Sequence, residues 1–204
     1  MLLYNAPDPA PNPRRVRLFL AEKGLEVPMR DLAIVRGEQK SPEYLEKNPA
    51  GQIPALELDD GTVIAESVSI CRYLEVLHPE TPLFGSAAEE MAGIDMWLRR
   101  AEHMLMVPVG MVWIHNHPFT TGLGRQFTDF GEASKERADK TMRWFDRQLA
   151  GRDYLAGDSY SMADIVLLTT IDFADWIGLA MPDDAAHLRA WHERVSARES
   201  VGNA

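Results

Sequence analysis

The 204-residue sequence predicts an α+β domain of order β-α-β-α-β-β-α followed by an all-helical domain. Three observations carry this. Short strand and helix patterns alternate over residues 1–77, and helix follows helix from residue 86 onward. Between them lies His78-Pro79-Glu80-Thr81-Pro82-Leu83-Phe84-Gly85, whose two prolines and glycine no helix can cross. The expected division is therefore 1–77, a linker at 78–85, and 86–204.

The first domain opens with a strand over Leu2–Asn5, then a loop carrying Pro7, Pro9, Pro11 and Pro13. The next helix is well punctuated: Asn12 suits the N-cap, Pro13 the first helical position and Gly24 the stop, with Val16, Phe19 and Leu20 at helical spacing between them. A strand over 27–31 and a short helix over 41–47 follow. Ala55-Leu56-Glu57-Leu58, the turn Asp59-Asp60-Gly61 and Thr62-Val63-Ile64 read as a hairpin. Ser67 opens a helix with the stripe Ile70, Cys71, Leu74 and Leu77.

In the second domain a long helix over 86–115 meets Pro108 and Gly110, so a kink is expected near Leu105. A helix over 133–149 places Ala138, Met142, Phe145 and Leu149 on one face. The capping box Ser161-Met162-Ala163-Asp164, with Tyr160 and Ile165 as a staple, starts a helix apolar nearly all round, the expected core of the domain.

The composition, 46% hydrophobic and 25% charged, is that of a soluble globular chain, and no apolar run is long enough to span a membrane. The N-terminus has no basic region and no long apolar stretch, so no signal peptide is expected. A net charge of -10 argues against nucleic-acid partners. Cys71 is the single cysteine, which excludes an intrachain disulfide and a C-x-x-C motif and fits a reducing cytoplasm. His115 and His117 point about 200° apart on a helix, so they make no metal site.

Three segments carry chemistry: Asn48-Pro49-Ala50-Gly51-Gln52-Ile53-Pro54, Ile64-Ala65-Glu66-Ser67, and Ala10-Pro11-Asn12-Pro13-Arg14 before the first helix. With the S-x-x-D box they stand in the order and spacing of the bacterial soluble glutathione transferases, which the chain resembles end to end. The resemblance implies a thioredoxin-like first domain that binds glutathione and a helical domain with a pocket for a small hydrophobic electrophile. It also implies a homodimer, with glutathione as co-substrate and no other cofactor. The reaction implied is attack of the glutathione thiolate on an electrophile. Glutathione-dependent disulfide reduction, or a non-catalytic glutathione-binding or scaffold role, is the alternative.

Glutathione is an extended tripeptide with two carboxylates, an ammonium and a thiol, and a strand edge holds such a peptide through backbone hydrogen bonds. The resemblance implies a cis Ile53–Pro54 bond, with Ile53 pairing to the cysteinyl backbone; a trans proline at a strand start is the other reading. The helix N-terminus at Ser67 offers N–H groups and a hydroxyl to the γ-glutamyl carboxylate, or Ser67 merely caps that helix. Glu66 can accept the ammonium, and Gln52 is a further donor at that end. Lys40, with Gln39 beside it, is the candidate for the glycyl carboxylate, or else an ordinary solvated lysine.

Thiol activation departs from the family pattern. Members with a serine or cysteine four residues before the arginine matching Arg14 have their counterpart in Ala10, which cannot donate. Members with a tyrosine ending the first strand point to Tyr4. Members with a T-P-N-G segment correspond to A-P-N-P here, which keeps the asparagine. Asn12 is therefore the expected catalytic donor to the thiolate. Pro9, Met104, Pro108, Met111 and His115 are the expected electrophile-pocket residues, and each reads equally as core. Cys71, on an apolar stripe, reads as a buried structural thiol.

Overall fold

The first four strands and three helices follow the alternation in the sequence. In the computed structural model, which describes residues 1–203, β1 (Leu2–Asn5) leads to α1 (Pro11–Lys23), and β2 (Met29–Asp31) follows. Two 3-10 turns, Ile34–Arg36 and Glu38–Lys40, precede α2 (Pro42–Lys47), then come β3 (Ala55–Glu57), β4 (Val63–Ala65) and α3 (Ser67–Leu77). The sheet order is β2-β1-β3-β4; β1 and β2 are parallel, and the other pairs are antiparallel. This is the thioredoxin-like arrangement.

The start of α1 corrects one expectation. Ala10, not Asn12, is the N-cap, and Pro11 takes the first helical position. Either proline has the φ that this position wants, and the chain uses the earlier one. Prolines then hold the first and third positions, so Asn12 carries the one backbone N–H among the first three residues of α1. Gly24, at φ 62°, ends the helix as expected.

The described residues form two compact units, 1–82 with 199–203, and 83–198. The sequence assigns 199–203 to the helical domain. Instead α9 (Glu199–Asn203) packs on α1 in the first unit, where the buried Ser200 hydroxyl donates to Glu22. Five residues carry too little pattern to show which unit they join.

The second unit starts with α4 (Ala88–Arg100), a π-helical stretch (Ala101–Met106) and α5 (Val107–Asn116). The irregularity falls where Pro108 predicts it. Val107 N–H reaches back five residues to Glu102 O, and the wider turn accommodates a proline that can neither donate nor fit a regular turn. The unit continues with α6 (Thr128–Leu149), α7 (Met162–Trp176) and α8 (Ala186–Ser196). α6 begins five residues before the expected helix and runs through Gly131, where α5 comes so close that a Cβ would lie 1.5 Å from Asn116 Oδ1.

Helix α7 is the buried centre of this unit, as its all-round apolar sequence predicts. Asp164 secures its start. One carboxylate oxygen accepts from Leu155 N–H at 2.8 Å and Trp191 Nε1–H at 2.9 Å; the other accepts from Ser161 N–H at 3.0 Å and its hydroxyl at 2.9 Å. Burial raises the Asp164 carboxyl pKa, and these donors oppose that rise. Asp164→Ala leaves several buried donors without an acceptor. It is expected to destabilise the protein by at least about 3 kcal/mol, read as a lower denaturant midpoint at unchanged m-value.

Candidate active site

The sheet register assembles the candidate site. Ala55 pairs with both Tyr4 on β1 and Ala65 on β4. The end of β3 at Ile53–Pro54 therefore lies beside the end of β1 at Asn5 and the end of β4 at Glu66. β2 runs parallel to β1, so its exit also faces this edge. From this edge leave the loop into α1, the segment carrying Gln39 and Lys40, and α3. Residues distant in sequence are thus brought to one side of the first unit.

Ile53–Pro54 is cis. The preceding loop is held from inside. Gln52 O accepts from Tyr44 Oη–H at 2.6 Å and from Asn48 Nδ2–H at 2.8 Å. Gly51, at φ 58°, passes so close to Gln39 and Lys40 that a Cβ would lie 2.8 Å from Lys40 Nζ and 2.9 Å from Gln39 O. Lys40 Nζ donates to Ala50 O at 3.0 Å and has two further N–H groups to offer. Gln39 Oε1 is buried and receives no hydrogen bond.

Glu66 is the N-cap of α3, at φ 68°, an uncommon conformation outside glycine. Its side chain is exposed, and no side chain caps the helix. The N–H groups of the first turn, from buried Ser67 onward, have no side-chain acceptor.

The loop before α1 contains a second cis bond, Asp8–Pro9, which has no mark in the sequence. Arg17 ties this loop to the sheet: it donates to Asn5 Oδ1 at 3.0 Å, to Ala6 O at 2.7 Å and to the Asp8 carboxylate. Asn5 in turn donates to Asp31 at 2.6 Å. An arginine seven residues into α1 gives no sign of this in sequence. The Asn12 side chain makes no capping bond, because the cap lies two residues earlier.

Tyr4 belongs to another environment. Its ring packs edge-on against Tyr44 at 5.3 Å, in a cluster with Leu32 and Ala55, and its hydroxyl donates to Glu57 at 2.6 Å. Burial, and then the Glu57 carboxylate, push the phenol above its ordinary pKa. A cavity of about 210 Å³ on this face is bordered by Arg30 and Lys47. Both cations are already paired, with Glu43 at 3.3 Å and Glu57 at 2.6 Å.

The candidate electrophile residues are placed unit by unit. In the first unit, Pro9 follows the cis bond and is partly buried. In the second, Met104 lies in the π-helical stretch and Met111 in α5, both partly buried, whereas Pro108 is buried. His115 Nδ1 accepts from Phe127 N–H at 3.4 Å, and its ring meets Phe127 and Phe130 edge-on at the start of α6. His117 caps a 3-10 turn at Pro118–Thr120. No group of three or more potential metal ligands occurs among the described residues. No helix among them is long and apolar enough to cross a membrane.

Comparison with known proteins places this arrangement. The Glutathione S-transferase N-terminal domain profile matches residues 10–77, and the C-terminal domain profile matches residues 121–199. The chain belongs to the glutathione S-transferase family. Glutathione S-transferase 2 of Saccharomyces cerevisiae is 39% identical over 98% of this chain and 88% of its own length. The crystal structure of Gtt2 from Saccharomyces cerevisiae superposes with a TM-score of 0.93 at 38% identity, covering 100% of this chain and 99% of that one. A glutathione S-transferase domain-containing protein of Marinobacter aquaeolei gives 0.92 at 38% identity, covering 98% and 100%. Yeast and bacterial relatives are thus equally near, and the likeness is to the family rather than to a bacterial branch. The protein is a glutathione transferase, an enzyme with glutathione as its co-substrate.

In this glutathione transferase Cys71 is fully buried, and burial pushes its thiol pKa upward. A thiol reagent is expected to find no reactive thiol in the native protein and one after denaturation. Tyr4→Phe is expected to leave the thiol pKa of bound glutathione unchanged, as followed by thiolate absorbance against pH.

Proposed function

We propose that glutathione lies extended along the site edge, its cysteinyl backbone paired to Ile53 beside cis-Pro54. Its γ-glutamyl carboxylate sits on the N-terminus of α3 at Ser67 and its ammonium on Glu66, with Gln52 as a further donor. Its glycyl carboxylate meets Lys40 and Gln39. The observation that carries this reading is the register that sets Pro54 beside the N-terminus of α3, which no side chain caps, after a loop whose Ala50 carbonyl accepts from Lys40. Asn12 donates to the thiolate.

Thiolate stabilisation alone contributes little. Lowering a thiol pKa from about 8.5 to about 6.5 raises the thiolate fraction at pH 7 about 24-fold. Nucleophilicity falls about eightfold over the same span, leaving a net gain of about threefold. Most of the acceleration then comes from holding thiol and electrophile together. The alanine at position 10 is compatible with an active transferase on this account.

For the electrophile, the expected Met104 and Met111 have partly open, adaptable side chains in the helical unit. A homodimer is the assembly proposed, and exposed Met91 and Met96 on α4 are apolar surface of the kind an interface covers. A cytoplasmic role in conjugating hydrophobic electrophiles completes the proposal.

Ser67→Ala is expected to weaken glutathione binding by about 1.5–3 kcal/mol, or about 10- to 150-fold, in calorimetry. Unchanged affinity in a folded variant would remove Ser67 from the site. Asn12→Ala is expected to raise the thiol pKa of bound glutathione and lower turnover modestly at pH 7, with less loss at higher pH. An unshifted thiol pKa would move the donor role elsewhere.

A further inference from the structure

We infer that Tyr44 is a positioning residue for glutathione, acting through the peptide bond between Gln52 and Ile53. The inference rests on the reading that Ile53 holds the cysteinyl backbone. A peptide group is planar, and in its trans form the carbonyl and the following N–H point in opposite directions. Whatever fixes Gln52 O therefore also fixes the direction of Ile53 N–H.

Two side chains fix that oxygen, Tyr44 Oη–H at 2.6 Å and Asn48 Nδ2–H at 2.8 Å. Both come from the α2 side and draw the carbonyl inward, which turns Ile53 N–H toward the site edge. The two donors are themselves secured. Tyr44 is 3% exposed and packs edge-on against Tyr4, and its backbone N–H bonds to the Ser41 hydroxyl that caps α2. Asn48, 5% exposed, also accepts from Ala50 N–H through its side-chain oxygen at 3.3 Å. Burial raises the Tyr44 phenol pKa, so it remains a donor through the physiological range.

Packing alone does not require a hydroxyl here, because phenylalanine would fill the same space. The hydroxyl's partner is a carbonyl one residue before the proposed ligand contact. Tyr44 touches neither thiol nor electrophile on this reading, so its effect falls on glutathione affinity rather than on the chemical step.

The test is Tyr44→Phe, studied by titration calorimetry with glutathione and by kinetics with a reactive aryl halide, alongside Ser67→Ala. The expected result is a loss of glutathione affinity of about 5- to 10-fold, the ordinary worth of one hydrogen bond to a well-ordered carbonyl. Turnover at saturating glutathione, the electrophile KM and the thiol pKa of bound glutathione are expected to stay as in the unaltered enzyme. If Ser67→Ala weakens binding and a folded Tyr44→Phe does not, the positioning role is wrong while the site reading stands. If neither variant weakens binding, the site reading itself falls, and this inference with it. Equal losses in turnover and affinity, with a lowered melting temperature, would show a merely structural tyrosine and overturn the proposal. Should Tyr44→Phe fail to fold, Asn48→Ser removes the second donor from the same oxygen and carries the same expectation and the same refutation.

Discussion

Everything proposed for the active site depends on the pairing of β3 with its two neighbours. Ala55 is opposite both Tyr4 and Ala65, so three chain segments reach the same edge together. A slip of one residue in this register would turn each β3 side chain to the other face and carry Pro54 away from Glu66. The register is held from both faces of the sheet. Leu56, alternating with Ala55, is fully buried, and Ala55 joins the cluster of Tyr4, Leu32 and Tyr44. Site geometry is in this sense a by-product of core packing.

The elements with strong local signals were legible in the sequence: β1, the glycine stop of α1, the hairpin, and the capping box of α7. The family segments, and with them the cis bond at Ile53–Pro54, were legible because several residues of fixed type stand at fixed spacing. Four things were not. The start of α1 was misplaced by two residues because Pro11 and Pro13 satisfy the same rule. Tyr44 and Arg17 look like ordinary helix residues, since their partners, a main-chain carbonyl for Tyr44 and Asn5, Ala6 and Asp8 for Arg17, meet them only through the fold. The positive φ of Glu66 has no sequence mark, because only glycine advertises that conformation. The position of α9 is a fourth case, decided by tertiary packing over too few residues to show periodicity.

The helical unit handles its proline in a way that bears on the electrophile residues proposed above. Pro108 is buried and the helix widens just before it, so the irregular stretch is where Met104 sits. Irregular turns put side chains where a straight helix cannot, and methionine adapts to such surroundings. The close approach of α5 to α6 at Gly131 fixes the far part of the same helix, next to His115 and its aromatic partners. One helix thus combines an anchored end with an adaptable one.

Gly51 sets a limit on how this sequence can drift. Its neighbour Ala50 is exposed, and a larger side chain there meets water. At position 51 any side chain would both strain the backbone and collide with the lysine ammonium, a backbone oxygen and Leu45 at once. Nor can one compensating change relieve that crowding, because the three obstacles belong to three different residues. Two adjacent small residues therefore have opposite histories open to them. One faces water, while the other is held in place by its positive φ and by three close neighbours.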